Sequence, residues 1–185
     1  MSSFLYQAPE TNEVSISSYL LLNRDVFLKE EINPFVSNEF IERLLFLEMQ
    51  GSESITIYIH STGGELAAMF AMYDMMMLCK SNIITVGMGE VCSAAVPILA
   101  AGTKGLRKIT PNTRILLHQG YDGVEGKHKD VQATAAEFKK LDKMYTEILS
   151  KHTGHSVKKL NKDMDTDFWL GAQDALRYNL IDEIL

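Results

Sequence analysis

Residues 55–79 read ITIYIHSTGGELAAMFAMYDMMMLC, and the change of pattern inside this stretch decides the fold. Ile55–Ile59 is a compact β-rich run that ends in Ser61, Thr62, Gly63 and Gly64, after which Glu65–Cys79 reads as a helix. The same succession recurs downstream. Ile83–Met88 is a second β-run that meets Gly89 and the small-residue segment Val91-Cys92-Ser93-Ala94-Ala95. A helix over Val96–Ala101 follows, with Pro97 in its first turn, where a missing N–H costs little. Ile115–Leu117 is a third strand and runs into His118-Gln119-Gly120. Asp130 is the expected cap of a long helix whose apolar positions Val131, Ala135, Phe138, Leu141, Tyr145, Ile148 and Leu149 recur at helical spacing. Upstream, Tyr19–Asn23 and Val26–Leu28 are short apolar stretches, Asn33–Pro34 is a turn signal, and Ser37 is the expected N-cap of a helix carrying Phe40, Ile41, Leu44, Leu45 and Leu47. Alternating β and α units imply an α/β fold, with a parallel sheet and crossover helices.

The helix over Glu65–Cys79 has almost no polar residue besides Asp74. A helix without a polar face must be covered on all sides; a subunit interface is the expected cover, and the core of the same chain the alternative. The 185 residues make one domain, with no linker rich in Pro, Gly or Ser. The first 15 or so residues form a polar, aperiodic arm, so the expected organisation is an arm over residues 1–18 and one domain over residues 19–185. With 18 Lys and Arg against 24 Asp and Glu, the formal charge is −6, and the long-range field repels phosphate backbones and anionic lipid. Neither nucleic acid nor a membrane is an expected partner. Cys79 and Cys92 are too few for a disulfide framework and form no CxxC pair. The N-terminus lacks the features of a signal peptide, and no apolar stretch is long enough to span a bilayer, so a cytoplasmic location is expected.

Two strand-to-helix junctions, Gly63-Gly64 and Gly89–Ser93, can face one crevice at the carboxyl edge of a parallel sheet, where unpaired N–H groups point at developing negative charge. Glycine lets a backbone N–H approach a substrate oxygen closely, and Ser93 at a helix start is a candidate nucleophile; a plain N-cap and a plain turn are the alternatives. Among the five histidines, His128 sits at a polar helix start, and His152 and His155 lie near a helix C-terminus, so all three are expected at the surface. His118 ends an apolar strand and is the better candidate for a semi-buried base, while His60 could contact substrate. The cluster Asp163-Met164-Asp165-Thr166-Asp167 is the conspicuous source of a carboxylate to orient the imidazole, with the choice among its members open. It fails as an EF-hand, because Phe168 stands where the loop needs glycine and Asp174 where it needs glutamate. Cys92 is a rival nucleophile or a small buried apolar residue.

Taken in order, Ile57–Gly64, Gly89–Ser93, the run from Ala100 to Gly105, Pro111–Arg114 with His118-Gln119, His152-Thr153-Gly154, Asp163 with Asp167, and Tyr178–Asp182 resemble the ClpP family, the proteolytic subunits of ATP-dependent Clp proteases. The resemblance covers nearly the whole chain after about Tyr19. It implies a crotonase-like spiral of ββα units and a serine peptidase whose subunits form seven-membered rings stacked face to face around a chamber. It implies Ser93 as nucleophile, His118 as general base, Asp167 as orienting acid, and the Gly64 and Ala94 N–H groups as the oxyanion hole. No cofactor or metal is implied in this chain. The chain has no GxxxxGK[ST] loop, so ATP would be used by a separate AAA+ Clp unfoldase that feeds unfolded polypeptides. The other implied partners are further copies of the chain, or a paralogue in a mixed ring, in the cytoplasm or, after processing, in the matrix or stroma of an organelle.

Several positions depart from the family pattern. His60-Ser61-Thr62-Gly63-Gly64 stands where Asn-Ser-Pro-Gly-Gly is usual, Gly120 where proline is usual, and Asn179 where glycine is common. Thr166 and Phe168 stand where arginines flank the aspartate, and in the family the first of these pairs across the ring–ring contact with an acidic residue matched here by Asp165. Two other readings compete. A non-proteolytic or weakly active subunit could complete a mixed ring, which the full set Ser93, His118 and Asp167 argues against. A crotonase-type acyl-CoA enzyme would need a longer chain and a glutamate pair near the oxyanion hole.

Overall fold

From its N-terminus the chain runs β1 (Leu5–Gln7), β2 (Glu13–Ser15), α1 (Ile16–Leu22), β3 (Asp25–Leu28), α2 (Pro34–Gln50), β4 (Ile55–Ser61), α3 (Leu66–Leu78), β5 (Ile83–Cys92), α4 (Ala95–Ala100), β6 (Arg107–Ile109), β7 (Arg114–Leu117), α5 (His128–Thr153), α6 (Val157–Asp163), β8 (Phe168–Leu170), α7 (Ala172–Arg177) and β9 (Glu183–Ile184). The computed structural model describes residues 5–7, 13–120 and 123–185, excepting the side chains of residues 5–7, 13 and 14. Part of the segment expected to be an aperiodic arm is ordered as a ladder, since β1 and β2 pair antiparallel, and α1 runs across residues 18 and 19.

The main sheet has the order β3-β4-β5-β6-β9, with every one of these pairs parallel. Ile55, Ile57 and Ile59 alternate with half-exposed Thr56 and Tyr58, so β4 buries one face completely. On its other face Tyr58 stacks on Phe27 of β3. The expected second strand, Ile83–Met88, continues through Gly89 to Cys92 and changes partner on the way. Thr85–Gly87 pair with Arg107–Ile109 of β6, whereas Glu90–Cys92 pair with Arg114–Leu116 of β7. A bulge lies between the two halves: Ile59 faces Gly87, but Ser61 faces Val91. β8 adds to β7 antiparallel.

Helix α2 begins earlier than the Ser37 cap predicted from sequence. Asn33 Oδ1 accepts from the Val36 N–H at 3.0 Å, and Pro34 fills the first helical position. Ser37 is buried inside the helix, where its hydroxyl donates to the Ala68 carbonyl of α3 at 2.9 Å. The chain itself covers most of α3, burying Ala68, Met69, Phe70, Met72, Tyr73, Met75 and Met76, so the expectation of a subunit interface as its main cover is corrected. Its exposed stripe is built from Ala67, Ala71 and Asp74, and alanine is cheap to expose, so a hydrophobic count cannot see that face. Only at its C-terminal end do Met77 and Leu78 stand out from the surface.

The sheet's far edge is locked by Arg107, which is 2% exposed. Its guanidinium donates to both Asp182 oxygens, at 2.8 and 2.6 Å, and to the carbonyls of His152 and Asn179, both at 3.1 Å. Burial alone would raise the Asp182 carboxyl, but these bonds and the Gly105 N–H hold it below its usual range.

Candidate active site

The carboxyl ends of β4 and β5 lie side by side, and there the backbone enters conformations that side chains rarely adopt. Gly63 has φ +92°, Gly64 +144° and Ser93 +52°. Gly63 is packed so tightly on the next turn that a Cβ there would stand 2.6 Å from the Cys92 carbonyl, 2.7 Å from Ser93 Cβ and 2.9 Å from the Ala94 nitrogen. At Gly64 a Cβ would stand 2.1 Å from the Ile32 carbonyl. The Ile32 N–H donates to the Gly63 carbonyl at 2.7 Å and the Glu65 N–H to the Ile32 carbonyl at 2.8 Å. In this parallel bridge the Gly64 N–H therefore faces away from Ile32, and among the described residues neither it nor the Ala94 N–H has an acceptor.

A left-handed conformation in a non-glycine residue costs roughly 1–2 kcal/mol and persists only where the surroundings enforce it. Three bonds do so at Ser93. Its N–H donates to the Leu116 carbonyl at 2.8 Å, and its own carbonyl accepts from the Val96 N–H at 2.9 Å and from the Tyr145 hydroxyl at 3.3 Å. Ser93, His118, Gly64, Tyr145, Phe138 and Leu141 all line one crevice of about 530 Å³. Tyr145 counts in the sequence only as an apolar position of α5. A phenol buried at such a position needs a hydrogen-bond partner, but nothing local says which.

The β7–β8 ladder pairs Ile115 with Leu170, Leu116 with Trp169 and Leu117 with Phe168. Continued by one residue, this register sets His118 opposite Asp167, and residues directly opposite in an antiparallel pair leave the ladder on the same face. The contact is not closed. His118 Nδ1 lies 2.6 Å from the Gln119 carbonyl, and the exposed Asp167 carboxylate has no partner among the described residues. Asp163 is occupied elsewhere. It accepts from the Tyr178 hydroxyl at 2.5 Å and pairs with Lys159, and although burial works against it these bonds hold its carboxyl below the usual range. Asp165 and Thr166 are exposed, while Phe168 turns inward against the Tyr178 ring at 5.3 Å.

Two of the three histidines expected at the surface are half-buried. His152 Nε2 lies 3.0 Å from the Tyr73 hydroxyl, and burial, together with the charges of Lys151 and Arg107, pushes this imidazole down to about 4. His155 packs on the Tyr178 ring at 4.3 Å, with its Nε2 buried and lacking a partner among the described residues. The chain folds back after Gly154 and packs α6, together with Tyr178 and Asn179, on this helix end, which the local rule for helix C-termini cannot anticipate. His128 is exposed as expected. His60 does not line the crevice; its Nδ1 lies 3.1 Å from both the Glu90 nitrogen and the Met88 carbonyl. Cys92 is buried outside the crevice lining, and burial first, then Glu90, push its thiol up, away from the reactive thiolate. Among the described residues no group of three His, Cys, Asp or Glu side chains could hold a metal ion. No helix among them is long and apolar enough to cross a membrane.

Serine hydrolases of α/β architecture are built on such a strand-to-helix turn, because it exposes a hydroxyl beside backbone N–H groups that have no other partner. The chain is of that class, and comparison with known proteins narrows the class to one family. A family model described as Clp protease matches residues 8–185. An ATP-dependent Clp protease proteolytic subunit of Dehalococcoides mccartyi is 42% identical over 171 residues, which cover 92% of this chain and 86% of that protein. The ATP-dependent Clp protease proteolytic subunit 1 of Rhodopirellula baltica is 40% identical over 175 residues, covering 94% of this chain and 77% of that protein. The chain belongs to the Clp protease family and is a serine peptidase.

Proposed function

We propose that this chain is the proteolytic subunit of an ATP-dependent protease and cleaves peptide bonds by acyl transfer at Ser93. Ser93 Oγ attacks the scissile carbonyl while His118 Nε2 takes its proton, and the oxyanion is held by the Gly64 and Ala94 N–H groups. His118 returns the proton to the leaving amine, and water releases the acyl group by the same route. Asp167 orients the imidazole through Nδ1. For this the Nδ1–H turns from the Gln119 carbonyl to the carboxylate standing opposite it in the strand register. The observation that carries the reading is the shared crevice of Ser93, His118 and Gly64, with two unengaged N–H groups at its serine.

The same reading makes the substrates unfolded polypeptides, delivered by an AAA+ Clp unfoldase that hydrolyses the ATP, into stacked seven-membered rings of this chain or of this chain with a paralogue, in the cytoplasm or an organelle's matrix or stroma. Residues 1–18 serve as an axial arm of the ring. Because Thr166 cannot make the cross-ring bond of an arginine and Phe168 is turned into its own subunit, ring stacking is weaker than in relatives that carry the arginine. Labelling by a fluorophosphonate tests the nucleophile: Ser93→Ala loses both labelling and cleavage of a short fluorogenic peptide while keeping its fold. Retained activity in Ser93→Ala, with loss in Cys92→Ala, overturns the assignment.

A further inference from the structure

Opposite the bulge of β5, one residue of β4 stands against three. Ile59 faces Gly87 and Ser61 faces Val91, so Met88, Gly89 and Glu90 share His60 as their only counterpart. A bulge leaves ladder groups unpaired, to be met by a side chain or by water. The His60 ring meets one of them: in the Nε2–H tautomer Nδ1 accepts from the Glu90 N–H at 3.1 Å, and the Met88 carbonyl, also 3.1 Å from Nδ1, receives no hydrogen from it. Gly89 is matched to the ring. It turns the chain with φ +62°, and a Cβ on it would stand 2.5 Å from His60 Nδ1 and 2.7 Å from Cε1.

What lies downstream makes this contact matter. Glu90, whose N–H the ring holds, is the first residue of β5 paired to β7, facing Arg114. From it the ladder runs through Val91 and Cys92 to the Ser93 N–H, which donates to the Leu116 carbonyl. The bulge therefore sets the angle at which the last residues of β5 leave β4 and join β7, and with it the pose of the turn that carries the serine. His60 is outside the crevice lining, and its ring contacts this backbone. We propose that His60 is a positioning residue of the peptidase, whose imidazole locks the β5 bulge and so fixes Ser93 Oγ and the Ala94 N–H relative to Gly64. The inference rests on Ser93 being the nucleophile.

An asparagine side chain can replace the acceptor, taking the Glu90 N–H through Oδ1, and its Nδ2 adds a donor for the Met88 carbonyl. A leucine fills space and does neither. The test compares the full chain with its His60→Asn and His60→Leu variants, using a short fluorogenic peptide and rates expressed per serine titrated by fluorophosphonate. In His60→Leu, kcat falls about 10- to 100-fold while KM stays within about threefold, as expected for loss of alignment rather than of binding. The second-order rate of fluorophosphonate reaction falls with kcat, and His60→Asn stays within about threefold of the parent in both. Should the leucine variant not fold, His60→Ala carries the same expectation, since it only empties an exposed position. A kcat that survives loss of the ring, a loss confined to KM, or an asparagine variant as impaired as the leucine one overturns the inference while leaving Ser93 in place. A parent chain that is not labelled at Ser93 overturns both.

Discussion

Gly63→Ala asks how closely the end of β4 must lie on the Ser93 turn. The added Cβ would stand 2.6 Å from the Cys92 carbonyl, 2.7 Å from Ser93 Cβ and 2.9 Å from the Ala94 nitrogen, whereas ordinary contact begins near 3.4 Å. Two of these neighbours are backbone atoms and the third is the first atom of a short side chain, so none can swing aside. Most of an ångström must open between Gly63–Gly64 and Ser93–Ala94, which separates the two N–H groups that flank the serine. A misplacement of about 1 Å at a reacting centre costs on the order of 100-fold in rate, equivalent to about 2.7 kcal/mol of transition-state stabilisation. The strained backbone adds a stability cost of roughly 1–2 kcal/mol, which must be separated from the catalytic one. Gly105 supplies the control: its φ of +90° nearly equals the +92° of Gly63, and a Cβ on it would meet nothing within 4 Å. Gly105→Ala therefore lowers the unfolding midpoint by a similar amount and leaves peptidase activity per titrated serine within about threefold of the parent. Gly63→Ala loses about 100-fold in kcat/KM under the same titration. Equal losses in the two variants, or a Gly63→Ala enzyme with more than a third of the parent's rate, would refute the close-approach argument.

Tyr145→Phe removes the hydroxyl that holds the Ser93 carbonyl at 3.3 Å. At roughly 0.5–1.5 kcal/mol for one hydrogen bond, kcat/KM drops about 2- to 13-fold; an unchanged value shows that the other two bonds suffice to hold the turn. His152 is held down to about 4 from 6.5, so between these values the unfolded chain takes up a proton that the folded chain refuses. Its contribution is present in full above that window and is lost as pH falls through it, so the melting temperature drops from pH 6.5 towards 4, and His152→Gln flattens this part of the profile; a profile identical to the parent's rules His152 out as the cause. Arg107→Met removes the cation from a pair in which Arg107 is 2% and Asp182 16% exposed, and costs about 3–5 kcal/mol in urea unfolding at fixed protein concentration. A loss below about 1 kcal/mol would mean that the Gly105 and residue 107 N–H groups hold the carboxylate by themselves.

The architecture was legible where its causes are local. Ile55–Ile59 followed by Gly63-Gly64, and Val91–Ala95 followed by an apolar run, announce strand-to-helix turns because strand propensity, glycine conformation and helix periodicity act over a few neighbouring residues. The helix start misread at Ser37 lies within the same range: Asn33 and Pro34, noted only as a turn, are the cap and the first helical residue. Helix α3 was harder. Two of the three residues of its exposed stripe are alanine, which an apolar count scores like methionine, so its cover could not be judged from composition.

The sequence by itself determined an α/β chain with a serine and a glycine pair at neighbouring strand ends and a histidine at a third, because each of these is written into a short segment. Tertiary structure decided which groups face one another. That Asp167, rather than Asp163 or Asp165, continues the β7–β8 register opposite His118 depends on pairing between strands far apart in the chain, and β8 is three residues long, too short to announce itself. The partial burial of His152 and His155, the bond from Tyr145 to Ser93 and the three-against-one bulge at His60 have the same origin. Each is a contact between segments that only the closed sheet and its covering helices bring together, and local propensity carries no term for it.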